Sequence, residues 1–351
     1  MKKRGMSQIV VIWVILFLVG GVFSLAQPGV AESREPYKIE LYTIPAGYPA
    51  YSISVGVADI LNKKSQWLRA TALEGRGPIV GLKEMAKNKK RRPHFFFFLQ
   101  PKWVWGAMNK MGPFKKSSYD FDKKIKYVAV LESSATIFIT LDPNIKTIKD
   151  FKGKRVVLDS MRGGARQVMY EDLFKAEGIL DTIKFEFTRG PAAANMMRDG
   201  LLDISYAGFS LVDLPNKWRV APYMSELMAT KPTYFVGIPG DWYADYKKRS
   251  GHPDLHITIP AGTGGATQTK PVGGVANISS WAVHADMPED VVYEFCKVTY
   301  ENVEKLKEFS PHAAVLTKKT LGSMSVPEDK IHPGALKFYK EKGVPISTLF
   351  K

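Results

Sequence analysis

Three loops rich in glycine and arginine are the part of this sequence best suited to chemistry. They are residues 43–51, which hold Thr43, Gly47, Tyr48 and Tyr51, the run Glu74-Gly75-Arg76-Gly77, and the run Arg162-Gly163-Gly164-Ala165-Arg166. A guanidinium presents a planar fork of donors that fits a carboxylate bidentately. Glycine lets backbone N–H groups approach a ligand closely. Together these residue types describe a site for a small anion. Arg162 is the first choice, because it sits inside its loop. Arg166 has a second reading as a surface pair one turn into the next helix, and any one of the three arginines taken alone reads equally as solvated. Tyr48 and Tyr51 offer rings that stack on a ligand or pack against helix neighbours. Gln100, at the end of an apolar strand, and Tyr206 and Phe209, near another, complete the candidate wall, each with a capping or packing reading beside it.

The elements that must position these residues alternate in type. Apolar segments at 37–42, 67–73, 95–99, 127–131, 136–141, 155–158, 183–187, 204–207 and 279–284 read as strands. Amphipathic stretches at 51–64, 79–87, 166–177, 192–198 and 286–309 read as helices. Such alternation predicts an α/β fold with largely parallel sheets. Each candidate loop then falls after a strand and before a helix, the position that faces the crevice of an open parallel sheet. Four consecutive phenylalanines, Phe95 to Phe98, predict a strand buried on both faces, with an aromatic ligand platform as the second reading. Residues 239–274 are rich in Gly, Pro and Thr and read as extended loops and hairpins. The pattern is two units, the second inserted into the first: residues 32–140 plus 278–351 form one lobe and 141–277 the other. Two crossing strands, near 136–141 and 279–284, make a hinge. The lobes are expected to have separate sheets, not a single continuous one, with the ligand in the cleft between them.

Lys2, Lys3 and Arg4 precede an uncharged apolar run at residues 9–23, followed by Ser24-Leu25-Ala26 and Gly29-Val30-Ala31. This predicts a secretory signal peptide over residues 1–31, cleaved, and a periplasmic location. The run is shorter than the roughly 20 residues that span a bilayer. The single cysteine, Cys296, excludes an intramolecular disulfide. The formal charge is +16. Without the three basic residues of 1–31, 47 basic residues stand against 34 acidic ones, or +13. Export turns that excess away from nucleic acid and toward steering of an anionic ligand. Enzyme signatures are missing: the sequence has no paired-cysteine zinc pattern, no His-Glu-x-x-His, no Gly-x-Ser-x-Gly and no Walker A loop. His252 and His256 flank Pro253 and lack metal-ligand spacing, so neither a metal nor a cofactor is expected.

Two C-terminal stretches are more particular. One is Trp281-Ala282-Val283-His284-Ala285-Asp286-Met287-Pro288-Glu289-Asp290-Val291-Val292-Tyr293; the other begins His332-Pro333-Gly334-Ala335 and ends Glu341-Lys342-Gly343. With the segment from Lys146 to Val156, they resemble the TAXI family of receptors that serve TRAP transporters. The resemblance covers most of residues 37–344. It implies a type II periplasmic-binding fold, a small carboxylate or amino acid held in a cleft, no catalysis, and a membrane permease driven by an ion gradient. The candidate loops depart from the family pattern: Tyr48-Pro49 replaces a flexible glycine pair, and Arg76 and Arg162 stand in loops the family fills differently. The expected partners are therefore an organic acid or amino acid and TRAP membrane subunits, with no nucleic acid, the chain being a monomer. An ABC-transporter or sensor partner is the alternative, and an exported hydrolase a remote one. The aromatic neighbours predict a carboxylate ligand whose remainder is apolar or aromatic and carries no second charge.

Overall fold

The computed structural model describes residues 34–159 and 164–349. Strands β1 (Tyr37–Tyr42), β2 (Leu68–Leu73) and β3 (Phe95–Leu99) are each followed by a helix: Pro49–Lys64, Pro78–Lys87 and Pro101–Met108. β1 lies between β2 and β3, parallel to both. After β4 (Ile125–Thr140) the same rhythm returns with β5 (Arg155–Asp159), helix Ala165–Ala176, β6 (Lys184–Phe187), helix Gly190–Arg198 and β7 (Ile204–Asp213). β5 runs parallel to β6 and β7. β8 (Lys217–Val220), β9 (Tyr234–Val236) and β10 (Leu255–Ile259) add short antiparallel partners, and β11 (Val272–His284) leads to helices Glu289–Glu301 and Pro333–Lys342.

The strand order is β2-β1-β3-β11-β4-β7-β5-β6. The parallel units lie at the two ends, and β4 and β11 pair antiparallel between them. This is an α/β fold of two lobes, the second inserted in the first, with two strands crossing the hinge. The expectation of separate sheets is corrected, because the hydrogen-bonded ladder runs through without a break. The cause is length. β4 has 16 residues and β11 has 13, so each belongs to both lobes. The sequence segments 127–131 and 136–141 are one strand, since Glu132, Ser133 and Ser134 continue the ladder instead of turning. A second correction concerns residues 239–274. Gly240–Ser250 is a helix, entered after Pro239 and closed by Gly251 at φ 68°. The glycines and prolines mark its ends, not a loop throughout.

Every residue of β3 is buried. Phe95, Phe96 and Phe97 are fully inside, with Phe96 stacked on Phe295 at 4.6 Å. A smaller core lies within the second unit around Phe138, Phe151, Tyr170 and Phe174.

The C-terminal stretches form one packed joint. Pro333 begins helix Pro333–Lys342, a position where the missing N–H costs nothing. The His332 ring accepts from the Gly334 N–H (3.3 Å) and meets the Met287 carbonyl through Nε2 (3.0 Å). A Cβ on Gly334 would stand 2.2 Å from the Glu289 carbonyl oxygen, so only glycine lets this helix touch the start of Glu289–Glu301. Gly334→Ala is expected to cost about 2–3 kcal/mol, read as a lower urea midpoint, because the opposing atoms are backbone and cannot swing aside.

The His332 ring must stay neutral to accept from Gly334. Burial pushes its pKa down to about 4. A histidine depressed in the folded state gives stability above its unfolded pKa and loses it as pH falls. Unfolding measured from pH 6.5 down to pH 4 is expected to show that loss. His332→Asn, which keeps an acceptor over Gly334 and cannot titrate, flattens this part of the slope.

Candidate functional site

A helix leaves its first N–H groups without partners and carries partial positive charge at that end. In a strand–helix unit the helix begins where its strand ends, so the two parallel units send helix starts toward the region between them. Six meet at one cavity of about 200 Å³. Tyr48 and Pro49 open helix Pro49–Lys64, and Pro78 and Ile79 open Pro78–Lys87. Gln100 precedes Pro101–Met108, and Arg166 stands in the first turn of Ala165–Ala176. Arg189 and Gly190 begin Gly190–Arg198, and Ala221 precedes Pro222–Thr230. No N-cap side chain closes any of the six. Uncapped N–H groups with arginines beside them favour an anion.

Tyr48, Arg76, Gln100, Arg166, Tyr206 and Phe209, all singled out in the sequence, line this cavity. Arg166 lies over the Tyr206 ring at 4.5 Å. Gln100 is held at both ends: Nε2 donates to Ser279 Oγ (3.0 Å) and Oε1 accepts from the Trp103 indole (3.0 Å).

Other candidates stand behind the wall. Thr43 is fully buried, and its hydroxyl donates to the carbonyls of Ile44 and Leu73. Gly75 is needed for packing, since a Cβ there would lie 2.2 Å from the Thr43 carbonyl oxygen. Gly47 turns the loop at φ 89°. Tyr51 sits half-buried in the first helical turn, its N–H on the Tyr48 carbonyl. Gly164 is the N-cap of Ala165–Ala176 in ordinary extended backbone. Arg162 and Gly163 lie outside the described residues.

Three titratable lining residues escaped the sequence reading. Arg189 carried a readable signal, because Arg76-Gly77-Pro78 recurs as Arg189-Gly190-Pro191. Both glycines take positive φ, 91° and 54°, and each run sets an arginine at a helix start, one from each parallel unit. Tyr223 follows Pro222, the first residue of a helix that the reading missed. Glu132 lies mid-way along β4. Opposite it the ladder slips: Ser279 pairs with Glu132 but Ser280 with Val130, so Leu131 is the extra residue of a bulge. Bulges re-aim side chains. Glu132 is 6% exposed, and burial pushes its pKa up to about 7.

Tyr48 spans the cleft. Its ring lies 6.1 Å from that of Tyr223 and 5.9 Å from the Arg189 guanidinium. Burial raises the Tyr48 pKa, against the pull of Arg189 and Arg166, so the phenol is neutral.

A family model, the NMT1-like family, matches residues 41–343. The chain belongs to the NMT1-like family. Among solved structures, one described as a periplasmic transporter superposes with a TM-score of 0.52 at 15% identity, covering 89% of this chain and 99% of the other. MatC from Rhodopseudomonas palustris, solved with bound malate, gives 0.51 at 13% identity, with 88% and 97% covered. The periplasmic binding protein BugD gives 0.50 at 13%, with 88% and 99% covered. At these identities the likeness is one of fold, and this NMT1-like chain has the two-lobed architecture of periplasmic binding proteins. Among its described residues no helix is long and apolar enough to cross a membrane.

A Cβ on Gly190 would lie 2.2 Å from the Tyr48 hydroxyl. Gly190→Ala is therefore expected to lower the urea midpoint, through this contact and through about 1–2 kcal/mol of left-handed backbone strain. Tyr48→Phe in the same chain should restore the contact share alone. A double-mutant cycle that shows strict additivity refutes the coupling.

Proposed function

We propose that this protein is an extracytoplasmic solute-binding receptor that takes a small organic anion into the interlobe cleft and delivers it to a TRAP permease, as a TAXI-type receptor. The observation that carries this reading is the meeting of six uncapped helix starts with Arg76, Arg166 and Arg189 around one cavity. Such a wall suits a carboxylate, held by backbone donors and by guanidinium forks together. The malate held by its fold neighbour MatC is in keeping with an organic acid here. Tyr48, Trp103, Tyr206 and Phe209 supply aromatic surface for the rest of the molecule. Thr43, Gly47, Gly75 and Gly164 then support the site from behind, and Arg162 and Gly163 stay ligand-binding candidates on their sequence alone.

The lobes are taken as residues 32–140 plus 278–351 and 141–277, with residues 1–31 removed on export to the periplasm. The excess of basic residues draws anions toward the protein without deciding where they dock. Delivery to an ABC permease is the second reading. Uptake in reconstituted vesicles separates the two, since a TRAP system follows an ion gradient and an ABC system requires ATP.

A thermal-shift screen of organic acids and amino acids is expected to find a ligand, which at 100 times its Kd stabilises by ~2.7 kcal/mol. Titration calorimetry on Arg166→Ala, Arg189→Ala, Arg76→Ala and Arg162→Ala tests the anion site. Loss of a buried charge partner costs ~2–5 kcal/mol, so at least one variant should bind roughly 30- to several-thousand-fold more weakly. Wild-type affinity in all four, or a ligand without an anionic group, overturns the reading. Small-angle scattering should show a smaller radius of gyration with ligand bound.

A further inference from the structure

Glu132 is the one acidic side chain among the described residues that line the cavity. Its neighbours on the floor have partners in the protein. Ser134 donates to Asn277 Oδ1 (3.3 Å), Thr136 Oγ1 meets the Tyr170 hydroxyl (3.3 Å), and Gln100 is engaged at both ends of its amide. Glu132, 6% exposed, has no hydrogen bond or ion pair with any described residue. The titratable and charged groups that share the cavity are Arg76, Arg166, Arg189, Tyr48, Tyr206 and Tyr223, and none of the arginines stands within 4.0 Å of the Glu132 carboxylate. A carboxylate taken out of water without a partner is costly. A bulge in β4 nonetheless sits beside this one.

We propose that Glu132 receives a cationic nitrogen of the ligand, so that the cleft selects a molecule carrying an ammonium group as well as its acidic end. This rests on the receptor reading above and departs from the expectation that the rest of the ligand is uncharged. A hydroxyl donor would leave the carboxylate charge uncompensated, whereas an ammonium supplies both hydrogen bonds and countercharge. Burial pushes the Glu132 carboxyl pKa up to about 7. A raised carboxyl pKa costs stability as pH rises from its ordinary value toward 7 and above. Binding of a cation there requires the ionised form, so it expels a proton below and around pH 7.

The test uses matched pairs: L-phenylalanine against 3-phenylpropionate, L-leucine against 4-methylpentanoate, and 5-aminopentanoate against pentanoate. Calorimetry at pH 5 to 8, in buffers of different ionisation enthalpy, is run on wild type and Glu132→Gln. Wild type should bind an ammonium-bearing member at least tenfold tighter than its partner, release protons near pH 7, and weaken toward tenfold per unit in acid. Glu132→Gln should lose the preference and the proton release, and should raise the urea midpoint of the ligand-free protein at pH 8, which shows that it folds. Three results overturn the proposal: a preference unchanged in Glu132→Gln, equal binding of the deaminated partner, or proton uptake with tighter binding in acid. The last marks Glu132 as a neutral donor to an anionic oxygen. These outcomes leave the anion site standing, because that is judged by the arginine variants. Failure of every compound to bind overturns the proposal as well.

Discussion

The position of a helix start relative to its strand is the constraint from which the rest of this molecule follows. In each parallel unit the chain leaves the carboxyl end of a strand and turns directly into a helix. When two such units stand with those ends facing each other, the unpaired N–H groups of every helix point into the same space. The protein accentuates this by leaving the caps open. Pro49, Pro78, Pro101 and Pro222 begin four of the helices, and none of the six N-cap residues returns a side-chain acceptor. Some starts elsewhere are closed: Thr147 and Asp150 form a reciprocal capping box, and His332 accepts from Gly334. Helices Gly240–Ser250 and Glu289–Glu301 are open at their starts as well, so what sets the cleft apart is that six open starts converge on one cavity beside arginines.

The crossing strands decide what the cleft floor is made of. β4 and β11 belong to both lobes, so their middle residues must be compatible with a ladder and with a cavity at once. Ser134 and Thr136 satisfy both, because their hydroxyls find partners in Asn277 of β11 and in Tyr170 of helix Ala165–Ala176. Glu132 does not, and it needs the bulge at Leu131 to sit where it does. Continuity of the ladder through the hinge also means that lobe motion bends the shared strands, with no separation of one sheet from another. Tyr48, packed on Gly190 and near Tyr223, joins the two parallel units beside these strands.

The alternation of strands and helices was legible because both periodicities are local. Loop arginines were legible for a similar reason, since glycine beside arginine before a helix is a pattern of neighbours. Arg189 has that same pattern in its Arg-Gly-Pro run, and its signal is the repeat of a motif from the other parallel unit. Glu132 was not legible. It sits between Leu131 and Ser133 in a stretch that resembles a break between two strands, and its role depends on a register slip against the distant Ser279. The helix Gly240–Ser250 was hidden by its own boundary residues, Pro239 and Gly251, which look like loop when the segment is read by composition.

The residues that carry the family resemblance and the residues that line the cleft are different sets, and each has its own physical reason. His332, Pro333 and Gly334 are held by a helix–helix approach so close that a methyl group at Gly334 would meet backbone at 2.2 Å. They lie outside the cavity lining, so a change there is felt as lost stability whatever the receptor binds. Arg76, Arg189 and Glu132 meet the cavity through side chains on turns and on a bulge, where a substitution alters charge without moving backbone. A scaffold of this kind can keep its C-terminal joint and change its cleft. Likeness at the joint therefore speaks to the fold, and the identity of the ligand has to be read from the charges that face the cavity.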